Sequence, residues 1–123
     1  MSKVVAVIGA SSDRKKFGNR AVRAFRQQGY TVVPINPHAK EVEGLTAYKS
    51  VLDVPGPIDM ATMYVPPAIG ETLLDELARK QIPEVWVNPG AESDELIERA
   101  RALNVRTIIA CSIMGIGEDP HAL

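Results

Sequence analysis

"VAVIGASSDRKKFGNRAV", Val5 to Val22, is the stretch on which the reading of the whole chain turns. A β-branched apolar run ends in Gly9, a loop of small residues follows, and a helical pattern then begins. That order opens a nucleotide-binding βαβ unit. The dinucleotide fingerprint G-x-G-x-x-G is nevertheless missing. Ser11 and Arg14 hold the places of its second and third glycines, the next glycine is Gly18, and Arg14, Lys15 and Lys16 lie between. Gly9, Ala10, Ser11 and Ser12 are small enough for their N–H groups to approach a phosphate, and the helix start behind them favours negative charge. The basic cluster, with Arg20 close behind, reads as a source of phosphate contacts; the plainer reading is a solvated loop tip.

Outward from this unit, strand and helix patterns alternate. Strands are expected in "KVVAVIG" (3–9), "TVVPIN" (31–36), "IDMATMYV" (58–65), "EVWVN" (84–88) and "VRTIIACS" (105–112). Pro34 weakens the second or marks an irregular spot in it. Helices are expected in "NRAVRAFRQQGY" with Asn19 as cap, in "PPAIGETLLDELARKQ" with Ile69, Leu73, Leu74 and Leu77 on one stripe, and in "SDELIERARAL" with Ser93 as cap. Residues 37–57 read as a long loop with one helical turn near Lys49–Leu52. The pattern predicts an α/β chain: one Rossmann-like doubly wound domain over residues 1–123. Its five-stranded parallel sheet has helices on both faces and the strand order 3-2-1-4-5. Ligands of such sheets sit beyond the carboxyl ends of the strands.

The bulk numbers narrow the function classes. The chain has 123 residues, 46% hydrophobic and 24% charged, which suits a single soluble domain. Fourteen basic and 15 acidic residues give a net charge of −1, against a general nucleic-acid or anionic-membrane binder. The single cysteine, Cys111, leaves no internal disulfide, and no zinc framework or signal-peptide pattern is visible. A cytoplasmic protein is expected, with no nucleic-acid or membrane partner and a homodimer as the default assembly.

At the second strand end an NAD site would carry an acidic residue for the ribose. This chain has Asn36-Pro37-His38 and then Lys40, which suits an adenosine bearing a further phosphate, as in NADP or coenzyme A. An Asn-Pro turn explains the dipeptide equally well. Val65, Pro66 and Pro67 form an apolar lip at the third strand end, and Asn88, Pro89 and Gly90 a tight turn at the fourth. Cys111 closes the fifth strand, either as a small buried hydrophobe or as a thiol facing a ligand.

With "VAVIGAS", "GYTVVPINP", "EVEGLTAYKSVLDVPGPIDM", "VPPA", "VWVNPGAES" and "CSIM" in this order, the chain resembles the small stand-alone CoA-binding proteins. Their fold is similar to the CoA-binding domain of the succinyl-CoA synthetase α subunit. The resemblance runs from about Lys3 to Met114. It implies that Gly9, Ala10, Ser11 and Ser12 wrap the CoA diphosphate, with Lys16, Gly18 and Asn19 nearby. Asn36, Pro37 and Lys40 would border the adenosine and its 3′-phosphate. Val65, Pro66 and Pro67 would line the adenine or the pantetheine arm, Asn88, Pro89 and Gly90 would lie near its end, and Cys111 matches the family's late cysteine.

No catalytic pattern accompanies these residues. None of Tyr30, Tyr48 and Tyr64 has a lysine four positions on, as a short-chain reductase would need; Pro34, Leu52 and Ala68 stand there. Neither His38 nor His121 lies in a recognisable catalytic setting. Binding of coenzyme A or an acyl-CoA without turnover is the expectation. The alternatives are an NADP-dependent reductase or subunit, and a nucleotide-sensing module acting on a protein partner.

Overall fold

The computed structural model describes residues 2–123. Strand β1 (Val4–Ile8) is paired on both sides, in parallel, with β2 (Thr31–Ile35) and with β5 (Met60–Met63). Strands β6 (Val85–Val87) and β7 (Thr107–Ile109) continue the sheet from β5, giving the order β2-β1-β5-β6-β7. The parallel five-stranded sheet with helices on both faces is as the alternating pattern predicts. The strand order is not: counted along this sheet it is 2-1-3-4-5, not 3-2-1-4-5.

Pro34 supplies the physical reason. It is paired with Val7 of β1, and its carbonyl accepts from the Tyr48 N–H (3.0 Å) on the outer side of β2. A proline has no N–H to donate on that side, so a full strand cannot add there. Beyond it the edge is covered by a single bridge between Ile35 and Tyr48. The residue that looked like a blemish in a central strand marks an edge strand, and the third main strand goes to the other side of β1.

The connections obey one handedness rule. A right-handed crossover from β1 to β2 puts its helix on one face; crossovers in the opposite direction, β2 to β5 to β6 to β7, put theirs on the other. Helix α1 (Phe17–Gln27) accordingly buries Ala21, Val22 and Phe25 against Val5, Val7 and Val32. Helices α2 (Pro67–Arg79) and α3 (Asp94–Ala102) bury Leu74, Leu77 and Leu96 against Ala6, Ile8, Met63 and Val87, joined by Val51 and Val54 of the β2–β5 connection. Burying each such leucine contributes about 1.5–3 kcal/mol.

Local chemistry sets the ends. The Ser93 hydroxyl accepts from the Leu96 N–H (3.0 Å) and caps α3, as expected, with Asp94 and Glu95 in the first turn. Asn19 does not cap α1. The helix starts two residues earlier, at Phe17, with Lys16 at the cap position and Asn19 fully buried in the first turn. The long loop contains a small hairpin, β3 (Glu41–Val42) and β4 (Leu45–Thr46), turned through Glu43 and Gly44, both at positive φ. A 3-10 turn follows at Val51–Asp53, where a helical turn was expected, and Ser50 caps it. The fifth main strand ends at Ile109 rather than Ser112; Ser112 instead opens a short helix, α4 (Ser112–Gly115), whose Ile113 packs beside α1. Among the described residues no helix is long and apolar enough to cross a membrane.

Candidate functional site

The carboxyl ends of β1, β2 and β5 open into a cleft of about 410 Å³ between the β1–α1 loop, the 3-10 turn and α2. At its head, Gly9 turns the chain at φ 89°, against the main chain of Tyr64; a Cβ there would stand 2.7 Å from the Tyr64 carbonyl oxygen. Gly18 is equally constrained. A Cβ on it would stand 2.1 Å from the Gly9 carbonyl oxygen, so α1 seats directly on the end of β1. In a dinucleotide fingerprint the third glycine serves this close packing of helix on strand. Here Gly18 takes over the task four positions late, and the residues between form an enlarged loop.

Two amides shape that loop. Asn36 Nδ2 donates to the Ala10 carbonyl (2.8 Å), and Asn19 Nδ2 donates to the Ser11 carbonyl (2.8 Å). A trans peptide holds its N–H opposite its C=O, so the Ser11 and Ser12 N–H groups point away from these amides. Among the described residues they donate to no protein acceptor. Among the described residues the Phe17 and Gly18 N–H groups at the start of α1 likewise donate to no protein acceptor, whereas the Asn19 N–H is spent on the Lys16 carbonyl (3.1 Å). The head of the cleft is thus rich in unspent donors.

Of the expected site residues, Gly9, Ala10, Ser11, Lys16, Asn36, Pro37 and Val65 line this one cleft. Ser12, Gly18 and Asn19 belong to the same loop and helix start but are not in the wall: Ser12 is exposed, and Gly18 and Asn19 are buried. Lys40 stands at the base of the hairpin, where its carbonyl accepts from Ala47 N–H (2.9 Å). Pro66 and Pro67 open α2 and are not in the wall. Asn88, only 2% exposed, spends its amide internally: it donates to Thr62 Oγ1 (2.6 Å) and the Met63 carbonyl (2.9 Å) and accepts from Ser112 N–H (2.8 Å). Pro89 and Gly90 form an exposed turn beside it, and the half-buried Cys111 precedes α4.

The basic cluster is divided. Only Lys16 faces the cleft. Arg14 pairs with Glu43 (3.5 Å) across the hairpin, and Arg20 lies over the Phe17 ring and donates to the Pro120 carbonyl (3.0 Å). A second cleft lysine, Lys49, comes from the β2–β5 connection, with Ser50, Val51, Ile69, Leu73 and Glu76 beside it. Sequence reading missed these as site residues, although one signal was present. The stripe of α2 contains four apolar residues, but only Leu74 and Leu77 are buried; Ile69 is 51% exposed and, with Leu73, forms cleft wall.

Tyr64 borders the cleft, while its hydroxyl reaches Ser112 Oγ (3.1 Å). Burial pushes the phenol up to about 12, opposed in part by the hydrogen bonds from Ser112 and Thr62, so it remains a neutral group at ordinary pH. With Thr62 Oγ1 and Ser112 Oγ 2.7 Å apart, Asn88, Thr62, Ser112 and Tyr64 form one polar network tying β5, β6 and α4 together. It braces the strand ends from behind.

Known proteins share this sequence pattern and this fold. Residues 3–116 match the model of a family described as CoA binding domain. The α subunit of acetate–CoA ligase (ADP-forming) II from Pyrococcus furiosus is 35% identical over 91% of this chain, which spans 27% of that protein's length. A conserved hypothetical protein from Pyrococcus furiosus superposes with a TM-score of 0.84 at 30% identity, covering 94% of this chain and 99% of the other. A dinucleotide-forming acetyl-coenzyme A synthetase from Ca. Korarchaeum cryptofilum, solved with phosphate and ADP, gives a TM-score of 0.77 at 31% identity over 88% of this chain and 25% of the synthetase. The chain belongs to the CoA-binding domain family and is related to the ADP-forming acetate–CoA ligase subunits.

Proposed function

We propose that the protein binds coenzyme A, free or as an acyl thioester, in the cleft over β1, β2 and β5, and performs no chemistry on it. The unspent N–H groups of Ser11 and Ser12, in the turn beside Lys16, are the observation that carries this reading. Backbone donors at a helix start with one cation alongside are the recognition set for a diphosphate. Lys49 adds a second cation in the same cleft, where a ligand with another phosphate is served better than NAD. At the end of β2 stands Asn36, whose amide shapes the turn, where an acid would bind NAD ribose. When bound, coenzyme A supplies the thiol that carries an acyl group; the chain's own residues hold and orient it.

Val65, Ile69 and Leu73 would give the apolar wall, with Pro37 at its rim. The arm would leave toward Asn88, Pro89, Gly90 and Cys111, whose turns lie at the neighbouring strand ends. Ligation as named for the relatives would need the remainder of a protein of which this chain spans about a quarter. A cleft of about 410 Å³ lies within the range of small-molecule and cofactor sites. A thermal-shift series with CoA, acetyl-CoA, NADP, NAD and ATP tests the reading. A ligand at a hundred times its Kd stabilises by about 2.7 kcal/mol. CoA is expected to raise the midpoint most; a shift with NADP and none with CoA would refute it.

A further inference from the structure

Glu76 is the one carboxylate in the wall of the cleft. It comes from the third turn of α2, roughly 14 Å along the helix axis from Pro67. Val51, Leu73 and Leu77 stand near it in the wall. Ser50 donates its hydroxyl to Glu76 Oε1 and accepts the Leu52 N–H (3.1 Å) on the same oxygen, so both partners are fixed by the 3-10 turn. Among the described residues the other carboxylate oxygen, Oε2, has neither a hydrogen bond nor an ion pair. A carboxylate repels phosphate and takes N–H donors.

We infer that Glu76 reads the exocyclic amine of the bound adenine and that Ser50 positions its carboxylate for that contact. The inference rests on the CoA reading above. In a sheet of this kind the loop after the first strand holds the diphosphate and the end of the second strand borders the ribose. Ser50 follows Tyr48, which bridges the outer edge of β2 at Ile35, so Ser50 and Glu76 close the cleft on the adenosine side. The apolar side chains of Val51 and Leu73 suit a base, and the unspent oxygen suits its amine. The pair selects an amino purine over one that carries a carbonyl at that position.

The test compares calorimetric affinities for CoA and for etheno-CoA, whose exocyclic amine is closed into a ring. The wild-type protein is expected to prefer CoA by about tenfold or more, because a site built around a hydrogen bond rejects an analogue lacking the donor. Glu76→Ala should bring the two ligands within about threefold, Glu76→Gln should keep the preference through its remaining acceptor, and Ser50→Ala should reduce it. Melting curves establish that each variant is folded. Equal wild-type affinity for the two ligands, or a preference that survives in Glu76→Ala, overturns the assignment while CoA binding stands. Wild-type protein that binds neither ligand overturns the CoA reading and this inference with it.

Discussion

Gly18 lies so close to Gly9 that a methyl group on the first would stand 2.1 Å from the carbonyl oxygen of the second. The helix behind the Gly9–Ser12 turn is therefore held in place by a bare backbone contact. Gly18→Ala must push α1 off β1 or distort the turn. A destabilisation of about 3 kcal/mol is expected, at the upper end of overpacking costs. That lowers the melting point by roughly 10 °C in a domain of this size. CoA affinity should fall with it. Calorimetric melting and titration of the variant check both; an unchanged midpoint would show that the helix has room to move.

Asn36 acts on the proposed site through the loop. Its Nδ2 holds the Ala10 carbonyl and its Oδ1 accepts the His38 N–H (2.7 Å). Asn36→Asp keeps the acceptor and loses the donor. A stability loss of about 1 kcal/mol is expected from the missing bond, with CoA binding weakened through the misplaced turn. Urea denaturation and ligand titration measure the two effects separately. Intact CoA affinity in Asn36→Asp would show that the amide does not shape the site.

Lys16 and Lys49 are exposed, so removing either should leave stability within about 0.5 kcal/mol. Affinity for CoA should drop about tenfold for each, since a charge-assisted hydrogen bond contributes about 1.5–3 kcal/mol. The salt dependence of binding should flatten in each variant relative to the wild type. Titration at two ionic strengths reads both quantities; a variant with the wild-type slope does not touch a phosphate.

How far the sequence disclosed this site depended on the kind of signal each residue carries. The β1–Gly9–α1 unit was readable because a β-branched run, a glycine and an amphipathic helix are local patterns. The place of the third strand was not, since residues 36–59 have no period, and Pro34 says "edge" only once a neighbour is known. Asn19 and Asn88 were read as capping and ligand-facing groups because asparagine is usually exposed. Both are buried and spend their amides on partners distant in the chain: Ser11 and Glu43 for Asn19, and Thr62, Met63 and Ser112 for Asn88. Lys49, Ser50 and Glu76 gave no signal of their own; only the fold brings the β2–β5 connection onto α2.

The network behind the strand ends makes its own prediction. Asn88→Ala leaves the Ser112 N–H without its acceptor and takes a donor from the Met63 carbonyl and from Thr62 Oγ1, which keeps only Ser112 Oγ, and a loss of roughly 2–4 kcal/mol is expected. The midpoint of urea denaturation should fall accordingly. A loss under 1 kcal/mol would mean that water replaces the amide.

Tyr64 gives the same network an alkaline limit. Its phenol moves from 10.0 when unfolded to about 12 when folded, chiefly through burial. The folded state therefore favours the protonated form. That contribution, on the order of 2 kcal/mol, is fully present below pH 10 and is lost as pH rises toward 12. Tyr64→Phe has no such proton to lose. Between pH 9 and about 11.5 the wild type should lose more stability than Tyr64→Phe; parallel curves would show that the hydroxyl is not held by the fold.

The central claim is that the Gly9–Ser12 turn and its two lysines form a coenzyme A site. Isothermal titration of the protein with CoA, set against NADP under identical conditions, tests it most directly. One CoA per chain is expected, bound at least tenfold more tightly than NADP, with that advantage lost in the Lys16→Ala, Lys49→Ala double variant. No heat with CoA, or NADP binding as tightly, would contradict the account.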